Sequence, residues 1–175
     1  FRKEILNKKI ISVERRAKNI LINLKNKKTI LAHMKMTGHF LYGNYKKDLK
    51  NRFVHFKIIF NNKEELHFSD ARKFGKITLL DTKTAHDSKH LNNIGPEPLQ
   101  PDFTFEKLKE RLNKKPTGKV KTVLIDQSII AGIGNIYSDE ILWRSGVNPE
   151  REVSDIKDSE MKLIFKAIKE TLKKG

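Results

Sequence analysis

Three prolines within six residues, Pro96, Pro98 and Pro101, split this chain into parts with different hydrophobic periods. Proline has a fixed φ and no amide hydrogen, so such a segment continues neither a helix nor a central strand. Before it, short β-branched runs are punctuated by polar turns; after it, apolar residues return at helical intervals. The expected organisation is a β-rich part over residues 1–93, a connector over 94–101 and a helical part over 102–175.

In the first part Ile10, Ile11 and Val13, then Ile20, Leu21, Ile22 and Leu24, read as two short strands. A polar turn over 25–28 leads into a third, expected over 29–36 and ending at Thr37 and Gly38. Phe53, Val54, Phe56, Ile58, Ile59 and Phe60 form another run, and segments 66–69 and 76–80 complete a set with hairpin spacing. That spacing predicts an antiparallel sandwich or barrel rather than a parallel sheet.

In the helical part Phe105, Leu108 and Leu112 share one face. Residues 120–125 allow one or two helical turns, 135–144 form a helix stopped by Gly146, and a last helix spans 158–174. Before the third of these stands Ala131-Gly132-Ile133-Gly134-Asn135-Ile136-Tyr137. Glycines at a helix start leave backbone N–H groups bare at the positive end of the dipole, where an anion is welcome. The plainer alternative is that Gly132 and Gly134 only let two helices pack closely.

Charge bears on that choice. The chain holds 37 Lys and Arg against 21 Asp and Glu, a formal net charge of +16, and residues 1–76 alone carry 20 basic and six acidic side chains. Such a surface attracts a polyanion, nucleic acid or an anionic membrane; simple solubility is the competing explanation. The absence of cysteine excludes disulfides and Cys-ligated metal within these residues. With no signal-peptide pattern and no apolar run of bilayer length, a soluble intracellular protein is expected.

Three clusters in the basic half could carry function. Glu14-Arg15-Arg16-Ala17-Lys18-Asn19 joins two strands, and its alternative is a solvated hairpin. His33-Met34-Lys35-Met36-Thr37-Gly38 could project His33 and Met36 from one strand face, although a lone strand His or Met more often packs in a core. Ser69-Asp70-Ala71-Arg72-Lys73-Phe74-Gly75 places a cation two residues from an aromatic ring. A Met, an Arg and a Phe on neighbouring loops resemble a wedge that enters a duplex and replaces an extruded base.

These motifs, with Ile94-Gly95-Pro96-Glu97-Pro98-Leu99 and Leu124-Ile125-Asp126-Gln127 through Gly132-Ile133-Gly134-Asn135-Ile136-Tyr137 to Glu140, occur in an order that resembles the bacterial formamidopyrimidine-DNA glycosylases. The resemblance covers nearly the whole chain. It implies an α+β multidomain fold: a partial N-terminal antiparallel β-sandwich followed by an all-α helix–two-turn–helix domain. The implied activity is excision of 8-oxoguanine and ring-opened purines, then cleavage of the abasic strand. By position in the motifs, Lys18, His33, Gly134, Asn135 and Tyr137 would contact phosphates, with Lys18 as the family's site lysine. Lys121 would lie near the lesion pocket. Met36, Arg72 and Phe74 would fill the void, with Arg72 facing the estranged cytosine.

The resemblance also implies parts that these residues do not hold. The family's nucleophile is an N-terminal proline followed by a glutamate, whereas this chain opens at Phe1 in the middle of a pattern. The expectation is therefore that the ends are missing and that these residues bind damaged DNA without performing the chemistry. Zinc is expected only in the family's C-terminal finger, and no cofactor within this chain. The implied partner is double-stranded DNA with an oxidised purine or abasic site, bound by a monomer in a bacterial cytoplasm. The alternatives are a non-catalytic DNA-binding paralogue or fragment, and an RNA-binding, ribosomal-type helix–two-turn–helix protein.

Overall fold

The computed structural model describes residues 1–43 and 52–174. Residues 44–51 of the expected β-rich part, and Gly175 at the end of the helical part, lie outside the described residues. The chain divides into two compact units, Phe1–Ala85 and His86–Gly175.

The first unit starts with a single helical turn, α1 (Arg2–Ile5), followed among the described residues by seven strands. These are β1 (Ile10–Arg16), β2 (Asn19–Leu24), β3 (Lys28–His33), β4 (His39–Tyr42), β5 (Val54–Ile59), β6 (Glu65–Ser69) and β7 (Lys76–Asp81). They form two antiparallel sheets, ordered β1-β2-β3-β7 and β4-β6-β5. Alternation explains the layering: Ile22, Leu24 and Ile30 from the first sheet pack with Phe40, Ile58 and Leu66 from the second. This is the expected antiparallel sandwich.

The register places functional positions at one end. Arg16 pairs with Asn19 across the β1–β2 turn, Asn19 with His33, and His33 with Lys76. The turns carrying Lys18, Met36 and Phe74 therefore all lie at that end of the four-stranded sheet. In the other sheet, β4 and β5 both place their Asp70-proximal ends opposite Ser69.

Two local expectations are corrected. The strand expected over 29–36 ends at His33, because Lys35 adopts φ 54° and the Gly38 N–H bonds back to the Met34 carbonyl at 3.0 Å. Met36 therefore sits in a turn, and it shares no strand face with His33. The chain resumes as β4, His39-Phe40-Leu41-Tyr42, too short to show a period although Phe40 and Tyr42 favour a strand.

The second unit contains α2 (Phe105–Leu112), α3 (Val120–Ile125), α4 (Asn135–Ser145) and α5 (Asp158–Lys174). Thr104 caps α2 by accepting from the Lys107 N–H at 3.2 Å. Gly146, at φ 65°, closes α4 in the left-handed conformation that favours glycine. Leu108, Ile130, Ile133, Ile141 and Ile164 are fully covered in one core, each contributing roughly 1.5–3 kcal/mol of hydrophobic burial. The proline segment is part of this unit: the Gly95 N–H donates to the Gln127 carbonyl at 2.8 Å, and the Ala131 N–H to the Pro96 carbonyl at 3.0 Å.

Candidate nucleic-acid interface

In the first unit, Met36, Arg72 and Phe74 come together from two loops. The Arg72 guanidinium donates to the Met36 sulfur at 3.1 Å and stacks over the Phe74 ring, 4.8 Å from its centroid. Met36 is 70 % exposed and Phe74 49 %. Large apolar side chains held in water by a cation do not serve a core. They form a protruding wedge with an apolar edge and a planar donor.

The wedge stands on Phe68 and Asp70. Phe68 is buried and meets Phe40 edge-on at 5.3 Å. A Cβ on Gly38 would lie 2.9 Å from the Phe68 ring and 2.4 Å from the Met34 carbonyl oxygen; one on Gly75 would lie 2.5 Å from that ring. Both loops therefore need glycine to reach the ring. Asp70, only 1 % exposed, accepts from the Gly75 N–H at 2.6 Å, the Arg72 N–H at 3.2 Å and the Thr37 hydroxyl. The Thr37 hydroxyl bond, then those backbone bonds, hold the Asp70 carboxyl below its ordinary range. Lys35 and Lys73, at φ 54° and 57°, store strain in these same loops.

Beside this assembly lie Lys18 and His33. Burial, and then the charge of Lys35, push the Lys18 ammonium below the ordinary lysine range. The His33 Nδ1 accepts from the Lys35 N–H at 3.0 Å, so a neutral ring carries its proton on Nε2, as a donor.

In the second unit, Gln127 builds the glycine turn. Its amide nitrogen donates to the Ile125 and Ile133 carbonyls at 2.8 and 2.7 Å, and its amide oxygen accepts from the Gly132 N–H at 2.9 Å. Gly132 sits at φ 86°, where a side chain would be strained. Gly134 is the N-cap of α4 and supplies no capping side chain, so the first N–H groups of the helix are not taken by one. Asn135 is exposed there, whereas Tyr137 is half-buried against the helical core. Lys121, on α3, is ion-paired with Asp139 of α4 at 2.5 Å.

Among the described residues no group of three His, Asp or Glu is placed to hold a metal ion, and no helix is long and apolar enough to cross a membrane.

Residues 1–77 match the formamidopyrimidine-DNA glycosylase N-terminal domain, and residues 94–175 the formamidopyrimidine-DNA glycosylase H2TH domain. The chain belongs to this family. It is 40 % identical to the formamidopyrimidine-DNA glycosylase of Herpetosiphon aurantiacus over 174 residues, which are 99 % of this chain and 62 % of that protein. The Pelotomaculum thermopropionicum enzyme is also 40 % identical, over 100 % of this chain and 63 % of its own length. Among solved structures, Lactococcus lactis formamidopyrimidine-DNA glycosylase bound non-covalently to DNA with an abasic site matches with a TM-score of 0.88. That match has 31 % identity and covers 98 % of this chain and 65 % of the other. The chain thus spans about three fifths of the length of the curated relatives it matches.

Within this glycosylase-family chain, sequence reasoning passed over the braces. Asp70 and Gln127 stood inside motifs, but neither had been given a role. A signal was present for the first: an Asp immediately before a turn readily accepts backbone N–H bonds two residues on. Nothing comparable marked Arg111, which donates to the Ile129 carbonyl at 3.0 Å and also to the Ser128 carbonyl, from a helix remote in sequence.

Proposed function

We propose that this chain is the DNA-gripping part of a base-excision-repair glycosylase that removes oxidised purines, 8-oxoguanine and formamidopyrimidines, from flipped-out nucleotides. The observation that carries this reading is the convergence of Met36, Arg72 and Phe74 into one exposed wedge. Flipping a base leaves a gap in the stack and an orphaned partner base. An apolar edge fills the first, and a planar donor satisfies the second. Solved relatives hold DNA containing FAPY-dG or carbocyclic 8-oxo-G, which supports the substrate class.

In this reading Lys18 and His33 contact phosphates through charge and a ring N–H, while Gly134, Asn135 and Tyr137 offer the start of α4. Lys121 lies near the lesion pocket and exchanges Asp139 for DNA. In this reading the chain binds DNA that carries an abasic site, as a monomer in a bacterial cytoplasm.

Fluorescence anisotropy with three duplexes tests the reading: DNA with an abasic site, undamaged DNA, and RNA. The abasic duplex should bind tightest, with affinity falling steeply as salt rises. Equal binding to damaged and undamaged DNA, or a flat salt profile, overturns the proposal.

A further inference from the structure

We infer that Asp70 is a positioning residue whose carboxylate locks the Met36 turn to the Arg72–Phe74 loop, so that the three side chains enter the duplex as one rigid wedge. The inference rests on the wedge reading above and adds the group that sets its geometry.

Met36 and Phe74 are 38 positions apart in the chain, and their side chains are too exposed to fix one another by packing. What joins their loops is a small buried network. The Thr37 hydroxyl, one residue from Met36, donates to Asp70 and at 3.2 Å accepts from the Arg72 N–H. That same N–H lies 3.2 Å from Asp70 Oδ1, and Oδ2 takes the Gly75 N–H at 2.6 Å. Among the described residues, the donors aimed at the carboxylate belong to one of the two loops, and together they bracket all three wedge residues.

The backbone around Asp70 is held as well. Its N–H donates to the Phe53 carbonyl at 3.0 Å, and its own carbonyl meets the His55 Nε2 at 2.9 Å. The brace is therefore anchored to β5 as well as to the loops. A carboxylate suits this position because it only accepts, and its neighbours here all donate. An Asn would turn an NH2 group towards one of those donors. The charge is buried beneath a cationic wedge, so it strengthens the hold without facing DNA phosphates directly.

The test compares the full chain as wild type, D70N, T37V, T37S and D70N/T37V. Each binds duplexes with an abasic site opposite cytosine or opposite adenine, at a temperature well below its own melting point. Wild type should prefer cytosine, through Arg72. D70N and T37V should each lose about tenfold of that preference, and T37S, which keeps the hydroxyl, should retain it. Because one brace is being cut, the double variant should lose no more than the worse single one. Folded D70N and T37V with wild-type preference overturn the inference. So does an equal loss of affinity for both duplexes, since that is the mark of a merely structural residue. If D70N does not fold, T37V decides alone. A wild-type protein with no preference for abasic DNA refutes the wedge itself, which is a different failure.

Discussion

The two units each brace a glycine loop with one side chain, but the braces differ in charge. In the first unit a carboxylate, Asp70, gathers donors from two loops and pushes Met36, Arg72 and Phe74 outward. In the second a neutral amide, Gln127, ties Gly132 to Ile125 and Ile133 and leaves the backbone start of α4 as the exposed feature. The proposed DNA contacts would explain the difference. Where side chains would meet DNA, a buried anion behind them is harmless and holds firmly. Where the contacting groups are backbone N–H donors at a helix start, a nearby carboxylate would compete with the phosphate for them. Asp126, next to Gln127, is itself engaged by Lys115 at 2.6 Å and by the Ser128 hydroxyl at 2.7 Å.

This contrast can be broken experimentally. The largest effect is expected from F74A, which removes an exposed ring and so leaves stability nearly unchanged. Affinity for abasic DNA should fall on the order of 10–100-fold, the worth of one stacked aromatic, while undamaged DNA is little affected. Anisotropy titrations with both duplexes check this. Next comes Q127E, which gives the second unit the brace of the first. Two carbonyls lose their donor, so the unit should lose about 2 kcal/mol of stability in urea melts. Its new charge should also weaken binding most at low salt, where electrostatics are least screened. An equal loss at all salt concentrations would mean that the neutrality of Gln127 is incidental.

A smaller change is expected from G132A. At φ 86° an alanine costs about 1 kcal/mol in backbone strain, visible as a lower melting temperature. The subtlest prediction concerns acid. Arg151 clasps Glu160 at 2.6 and 3.0 Å, and with the Lys157 N–H it holds the Glu160 carboxyl down to about 2. A depressed carboxyl pKa contributes stability that is fully present above the ordinary value of 4.5 and fades as pH falls towards 2. Acid titrations should therefore show the second unit of wild type, followed by Trp143 fluorescence, losing more stability across that window than E160Q. Superimposable curves would mean that the clasp contributes nothing.

Much of the architecture could be read from residue spacing. Short β-branched runs between polar turns gave the strands, and helical spacing such as that of Phe105, Leu108 and Leu112 gave the helices, because both are local properties of each element. Strand β4 was missed because four residues are too few to show a period, although Phe40 and Tyr42 favour a strand; pairing with β6 makes them one. The wedge residues were legible in the motifs as a Met, an Arg and a Phe on neighbouring loops, but the contacts that join them were not.

The sandwich-plus-helices division, the cationic first half and the residue types of the exposed cluster were thus readable in the chain itself, each a consequence of composition or short-range order. That Met36 leaves its strand for a turn, that Arg72 bridges Met36 and Phe74, and that Asp70 and Gln127 hold the two loops came from tertiary contacts. Those are hydrogen bonds and ring contacts between groups up to 36 residues apart in the chain. They exist only once strand pairing and helix packing have brought the backbone donors and acceptors face to face.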